Sequence, residues 1–334
     1  MQEGLESLPK HGPMTSRERV RAAFAHREPD RVPYNLRPSA EMVARLAAET
    51  GATDFAEYFG HDVRYVYLPL GQRPPDLPVT EWTPEPASEG IAVTATAVAA
   101  LHGRGLAVSG GYWPGVFEHA KAWLGDARAL TDPHDDPAAF GMVLDRIQDW
   151  IAAIYGGYAQ AGTDIVWMGD DLGTQRSLVM SPEDYRRWYR PRHREIVQHL
   201  RALRPDVVIA FHCCGHVTPL IRDLIGIGID VLEAVQAETM DLSLLKREFG
   251  RDIAFWGGIG AQSVLARTTS EQVAAGVCET LRVMAPGGGY MAAPCHTLTD
   301  DVPWEAVLTF HEALAKYGAY PYPGVDKKPS QRSE

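Results

Sequence analysis

The chain has 334 residues, 45% hydrophobic and 22% charged, the balance of an ordinary soluble globular protein. A formal net charge of −11 with no basic run argues against nucleic acid or an anionic membrane surface as the main partner. No segment nears the roughly 18 apolar residues of a spanning helix, the start MQEGLESLPKHGP has no apolar signal core, and four cysteines are too few for a disulfide framework, so the expectation is a cytoplasmic, enzyme-sized chain with reduced thiols.

Residues 1–13 read as a flexible extension. Thr15-Ser-Arg-Glu then fits a capping box, Thr15 with Glu18, opening a helix through RERVRAAFAH that stops before REPDRVP. Beyond it short apolar runs alternate with helical patterns. The expected strands are VPYNL, RYVYLPL (64–70), LAVSGGY (106–112), DIVWMGD (164–170), VVIAFHC (207–213), DVLEAVQ (230–236), IAFWGGI (253–259) and YMAAPC (290–295). Amphipathic stretches such as SPEDYRRWYRPRHREIVQHLRAL and SEQVAAGVCETLRVMA follow most of them. Strands apolar along their whole length suit a parallel sheet covered on both faces. Eight such units predict an α/β fold, a single (β/α)8 TIM barrel over residues 14–318. Residues 71–105, with the Pro-rich RPPDLPVTEWTPEPASEG, exceed an ordinary βα loop and are read as an insertion over the barrel mouth. Residues 319–334 are polar and Pro-rich and read as a flexible tail.

The stretch FHCCGHV (211–217) concentrates His212, Cys213, Cys214 and His216. On an extended strand His212 and Cys214 share a face, while Cys213 points to the opposite layer. Cys295 ends the last expected strand and Glu233 lies late in the sixth. A barrel brings those strand ends together, so His212, Cys214, Cys295 and Glu233 are the candidate metal ligands, and thiolate with imidazole favours zinc. The competing reading of a cysteine pair in a buried strand is packing. A disulfide between adjacent Cys213 and Cys214 is strained. Cys278 reads as helix packing.

Asp170 and Asp171 end the fourth expected strand and are candidates for substrate hydrogen bonding or proton transfer; capping of the turn DDLGTQ is the structural alternative. Tyr112, Trp113 and Trp256 are candidates for an apolar substrate wall, with ordinary core as the alternative. Arg37 and Gln236 complete the expected substrate contacts. His216 and His296 read as neighbours of the ligands, the glycines of APGGGY as a tight turn, and the arginines at 186, 187, 190, 192 and 194 as a solvated face.

MTSRERVRAAFAHREPDRVP, GDDLGTQRSLVMSPEDYRRWYRP, HCCGHVTPLIRDLIGIGIDVLEAVQ, WGGIGAQ and APCH together resemble the uroporphyrinogen decarboxylase superfamily, from about Met14 to Gly318. The His-x-Cys and the distant cysteine resemble its corrinoid-linked branch, typified by methylcobamide:coenzyme M methyltransferases. That resemblance implies zinc on His212, Cys214 and Cys295. Cobalamin-independent methionine synthases have a similar barrel site with a Glu on the following strand, a placement that Glu233 matches. The implied activity is methyl transfer between a corrinoid and a zinc-activated acceptor, a thiol or similar group, in either direction. No corrinoid-binding module is visible, so the corrinoid is expected on a partner protein or as free methylcobalamin. A homodimer is left open. Decarboxylation of tetrapyrrole acids is the alternative; where decarboxylases carry an arginine-rich segment, YNLRPSAE offers Arg37 alone. A non-catalytic corrinoid or small-molecule binding protein with a structural zinc is the third reading.

Overall fold

The computed structural model describes residues 13–70, 77–78, 81, 83, 86–111, 114–266 and 269–322. Tyr112 and Trp113, most of the Pro-rich stretch, and most of both termini lie outside the described residues.

Seven parallel strands form one curled sheet in chain order: β1 (Val63–Val66), β2 (Ala107–Gly111), β3 (Ile165–Gly169), β4 (Val208–His212), β5 (Val231–Val235), β6 (Ala254–Ile259) and β7 (Tyr290–Pro294). They correspond to the second to eighth expected strands. The first, VPYNL, occupies the remaining place between β7 and β1 but makes no ladder there. Tyr34 bridges Ala292 in parallel, Asn35 N–H donates to the Ala292 carbonyl, and Asp62 N–H donates to the Tyr34 carbonyl. Pro33 and Pro38 lack backbone N–H groups, so a continuous ladder through this stretch is chemically barred.

Strand alternation sets what faces the barrel axis. Val63, Ala107, Ile165, Ala210, Val231, Ala254 and Met291 form one inner layer, with Val20 and Phe24 of helix Ser16–Phe24 closing it from below. That helix opens with the expected capping box between Thr15 and Glu18. It is tied to the start of β1 by buried ion pairs. Arg19 donates to Asp30 and to Asp62 at 2.6 Å each, Arg31 donates to Asp62 at 2.7 Å, and Tyr34 N–H completes Asp62 at 2.9 Å.

The stretch 71–105 is shorter as an insertion than expected. Its second half is the helix Ser88–Gly103, which packs on β1, β2 and the helix Pro137–Ala161 as the crossover of an ordinary βα unit. Its run of Ala, Val and Thr carries no strong apolar stripe, which is why it does not read as a helix from periodicity. The expected tail begins with packed residues. Tyr320 N–H donates to the Asp30 carbonyl, and Tyr320 OH donates to the Ala285 carbonyl at 2.8 Å. The arginine-bearing helix uses its charges on the surface, Arg186 and Arg190 on Asp223 and Arg192 on Asp145.

Candidate metal centre

The parallel register brings the ends of β3, β4 and β5 level: Gly169 pairs with His212, and His212 with Glu233. Past the strand ends the loops are stitched together. Asp170 N–H donates to the His212 carbonyl, Cys213 N–H to the Glu233 carbonyl, and Cys214 N–H to Asp171 Oδ1 at 2.9 Å. The β3 and β4 loops then cross at Gly173 and Gly215. A Cβ on Gly215 would sit 2.5 Å from Gly173 backbone, and Gly215 has φ +79°, so both space and conformation require glycine. On β5 a bulge separates Glu233 from Val235, and Ala234 holds φ 69°. Bulges re-aim neighbouring side chains and gather near functional sites.

Glu233 is fully committed. Its Oε2 accepts from Trp167 Nε1 at 2.8 Å and from His212 Nδ1, and its Oε1 meets Arg37 at 3.2 Å. Burial by itself would raise its pKa; the charge of Arg37 and the His212 hydrogen bond override that and pull it down to about 2. Glu233 is therefore an acceptor, and His212 carries a proton on Nδ1. Nε2 faces the other way. It stands 3.5 Å from Cys214 Sγ and 3.7 Å from Asp171 Oδ1. Donor atoms of Asp171, His212 and Cys214 all lie within 4.8 Å of one another.

This donor set fits a zinc ion. Zinc binds imidazole nitrogen at about 2.0–2.1 Å and thiolate sulfur at about 2.3 Å, so tetrahedral neighbours lie roughly 3.5 Å apart. The separations at Nε2 match. Without a cation the thiols are held protonated: burial raises Cys214, and the carboxylates of Asp171 and Glu233 add to it. A carboxylate, a thiol and an imidazole nitrogen facing one another are a donor set that a divalent cation can bind.

The other residues singled out from the sequence fall in three places. Cys295 is buried, and its thiol is engaged with Glu238 Oε2 at 3.4 Å while accepting Ala261 N–H at 3.2 Å. It lies outside the three-donor group, and burial followed by Glu238 pushes its pKa up to about 12. Asp170 turns to the helical layer, where Oδ2 meets His193 Nε2 at 2.9 Å and Oδ1 accepts Glu118 N–H at 3.1 Å. Gln236 accepts Gly215 N–H at 3.0 Å and so supports the β4 loop, and Trp256 is buried with its indole N–H on Asn35 Oδ1. Cys213 packs in the outer core, as alternation requires, and His216 Nδ1 contacts the Thr239 carbonyl. Asp171, expected as a substrate-contact or proton-transfer residue, stands beside His212 as a candidate metal ligand. Trp167, Tyr65 and Glu238 drew no notice in the sequence. Trp167 was accessible to the alternation rule, two residues past inward-facing Ile165.

A cavity of about 980 Å³ has Arg37, Tyr65, Tyr67, Tyr158 and Trp167 in its wall; the three donors do not line it, and Trp167 ties it to them by packing on the His212 ring at 4.9 Å. Arg37 stacks over Trp167 at 5.3 Å.

Fold and site together define a parallel α/β barrel with an imidazole–thiol–carboxylate cluster at the C-terminal mouth, where barrel enzymes keep their active sites. Residues 120–317 match the model of the family described as uroporphyrinogen decarboxylase (URO-D), more than half the chain. The chain belongs to that family. No curated protein matches the sequence. Among solved structures, a methyltransferase from Methanosarcina mazei superposes with a TM-score of 0.69 at 17% identity, covering 91% of this chain and 99% of its own. A B12-independent methionine synthase from Shewanella sp. W3-18-1, in complex with selenomethionine, gives 0.46 at 12% identity, covering 86% and 93%. Among the described residues no helix is long and apolar enough to cross a membrane.

Proposed function

We propose that the protein is a zinc-dependent methyltransferase that moves a methyl group between a corrinoid and a small-molecule acceptor such as a thiol. The observation that carries this reading is the convergence of His212 Nε2, Cys214 Sγ and Asp171 Oδ1 beside an aromatic cavity. The Methanosarcina mazei methyltransferase, alike in fold over nearly its whole length, supports it.

In this reading His212 and Cys214 are the inner ligands and Asp171 is in reach as a third. Cys295 joins them when its thiol leaves Glu238. Glu233 works from behind the ring: by accepting from Nδ1 it fixes the tautomer and strengthens Nε2 as a donor, as carboxylates behind metal-bound histidines do. Bound zinc lowers the pKa of a coordinated thiol, so that an acceptor thiol is present as its nucleophilic thiolate at neutral pH. Arg37 and Trp167 wall the cavity above Glu233 and keep that carboxylate shielded from water. The corrinoid is supplied by a partner protein or as free methylcobalamin, and the location is cytoplasmic.

Family membership favours a second reading, decarboxylation of a tetrapyrrole acid. Against it, YNLRPSAE offers Arg37 alone, and one guanidinium cannot hold a substrate with many carboxylates as several can. One experiment separates them: zinc quantification with a methyl-transfer assay from methylcobalamin to a panel of thiols. One zinc per chain and methylated thiol are expected. A metal-free protein that releases CO2 from a tetrapyrrole acid would replace this reading with the second.

A further inference from the structure

Behind the cavity wall a short polar chain fixes the direction of one proton. Trp256 Nε1 donates to Asn35 Oδ1 at 2.8 Å. Indole nitrogen is a donor only, so this contact settles which end of the Asn35 amide is oxygen. The other end, Nδ2, donates to Tyr65 Oη at 2.8 Å. Trp256 and Asn35 are each 1% exposed, so neither has water to turn to. Tyr65 Oη is therefore already an acceptor inside the protein, and its own O–H must be donated elsewhere.

Tyr65 lines the cavity, and so does Arg37, whose charge acts directly on the Tyr65 hydroxyl, as does that of Glu233. Arg37 Nη2 meets Glu233 Oε1 at 3.2 Å, while Glu233 is also shared with His212 and Trp167. A guanidinium has five N–H donors. The polar corner of the cavity is thus rich in donors, and the walls around it are aromatic.

We infer that Tyr65 is a ligand-binding residue which, with Arg37, receives an oxyanion of the molecule in the cavity, its proton aimed there by the relay from Trp256 through Asn35. The ligand class is a small molecule with an apolar or aromatic body and one carboxylate- or phenolate-like oxygen. Trp256 and Asn35 are positioning residues. The role of the cavity as a substrate site rests on the methyl-transfer reading; the donor pair does not.

The test is equilibrium binding of benzoate, with benzyl alcohol as its neutral counterpart, to metal-free wild-type, Tyr65→Phe and Arg37→Met proteins by titration calorimetry. Wild type is expected to prefer benzoate. Each substitution is expected to lower benzoate affinity roughly 10-fold or more, the scale of a hydrogen bond to a charged group, and to leave benzyl alcohol unchanged. Circular dichroism checks folding; if Tyr65→Phe does not fold, the wild-type preference and Arg37→Met decide. A wild type that does not prefer benzoate, or benzoate binding that these substitutions leave unchanged, overturns the inference. Selective benzoate binding in a protein that transfers no methyl group would remove the functional reading and leave this one standing.

Discussion

The floor and the mouth of the barrel both bury charge, and they treat it in opposite ways. At the floor Arg19 and Arg31 meet Asp30 and Asp62, two cations and two anions, and Asp62 is enclosed by donors on both oxygens. At the mouth Arg37 faces Glu233, and Asp171 adds a second carboxylate against an imidazole nitrogen and a thiol. The floor is electrostatically closed and has a structural role. The mouth carries an excess of electron-pair donors, which a stable apolar core would not select. Burial alone therefore does not single out a candidate site; the balance of charge around the buried groups is what differs between the two ends.

Substitutions at each end break the comparison in different currencies. Cys214→Ser removes a proposed inner ligand and is expected to abolish methyl transfer and to lower zinc affinity by well over the 10–100-fold that outer partners typically contribute, with little change in thermal midpoint. Chelator competition and calorimetry measure the two effects. Asp62→Ala leaves Arg31 without its carboxylate and Arg19 with Asp30 alone, and is expected to cost about 3–5 kcal/mol in denaturant unfolding while zinc content per folded chain stays unchanged. Glu233→Gln keeps the shape but weakens the hold on His212 Nδ1; zinc affinity should fall about 10–100-fold.

The smallest effect is a pH dependence. Burial pulls His311 down to about 4, with Arg31 adding to it, and burial holds His61 well below the usual range. Their folded forms are neutral, so the unfolded chain binds more protons below the ordinary histidine pKa of about 6.5. Stability is complete above that pH and declines as pH falls towards 4, by on the order of 2 kcal/mol. His311→Gln should flatten part of this slope in urea titrations at pH 4.5–7. An unchanged slope would assign it to other groups.

Much of this was legible in the sequence because strands impose a period of two. His212 and Glu233 face the axis, Cys213 faces out, and six of the seven ladder strands fall within the expected runs, β1 starting one residue early at Val63. What could not be read depends on loops and on side-chain partners. Asp170 and Asp171 are adjacent, yet one anchors His193 in the helical layer and the other meets Cys214 N–H; only the loop path separates them. Cys295 sits at the expected strand end, but its engagement with Glu238 crosses 57 residues and follows no periodicity. The relay from Trp256 to Tyr65 joins three strands' worth of sequence through hydrogen bonds that no pattern of apolar residues encodes.

The central claim is that the mouth cluster binds a metal ion. X-ray absorption at the zinc edge, together with elemental analysis of the wild type and of His212→Ala and Cys214→Ser, tests it most directly. One zinc per chain with nitrogen and sulfur neighbours at about 2.0–2.1 and 2.3 Å, lost in both variants, is the predicted result. Zinc retained in full by both variants, or a wild type that takes up none when zinc is supplied, would contradict it.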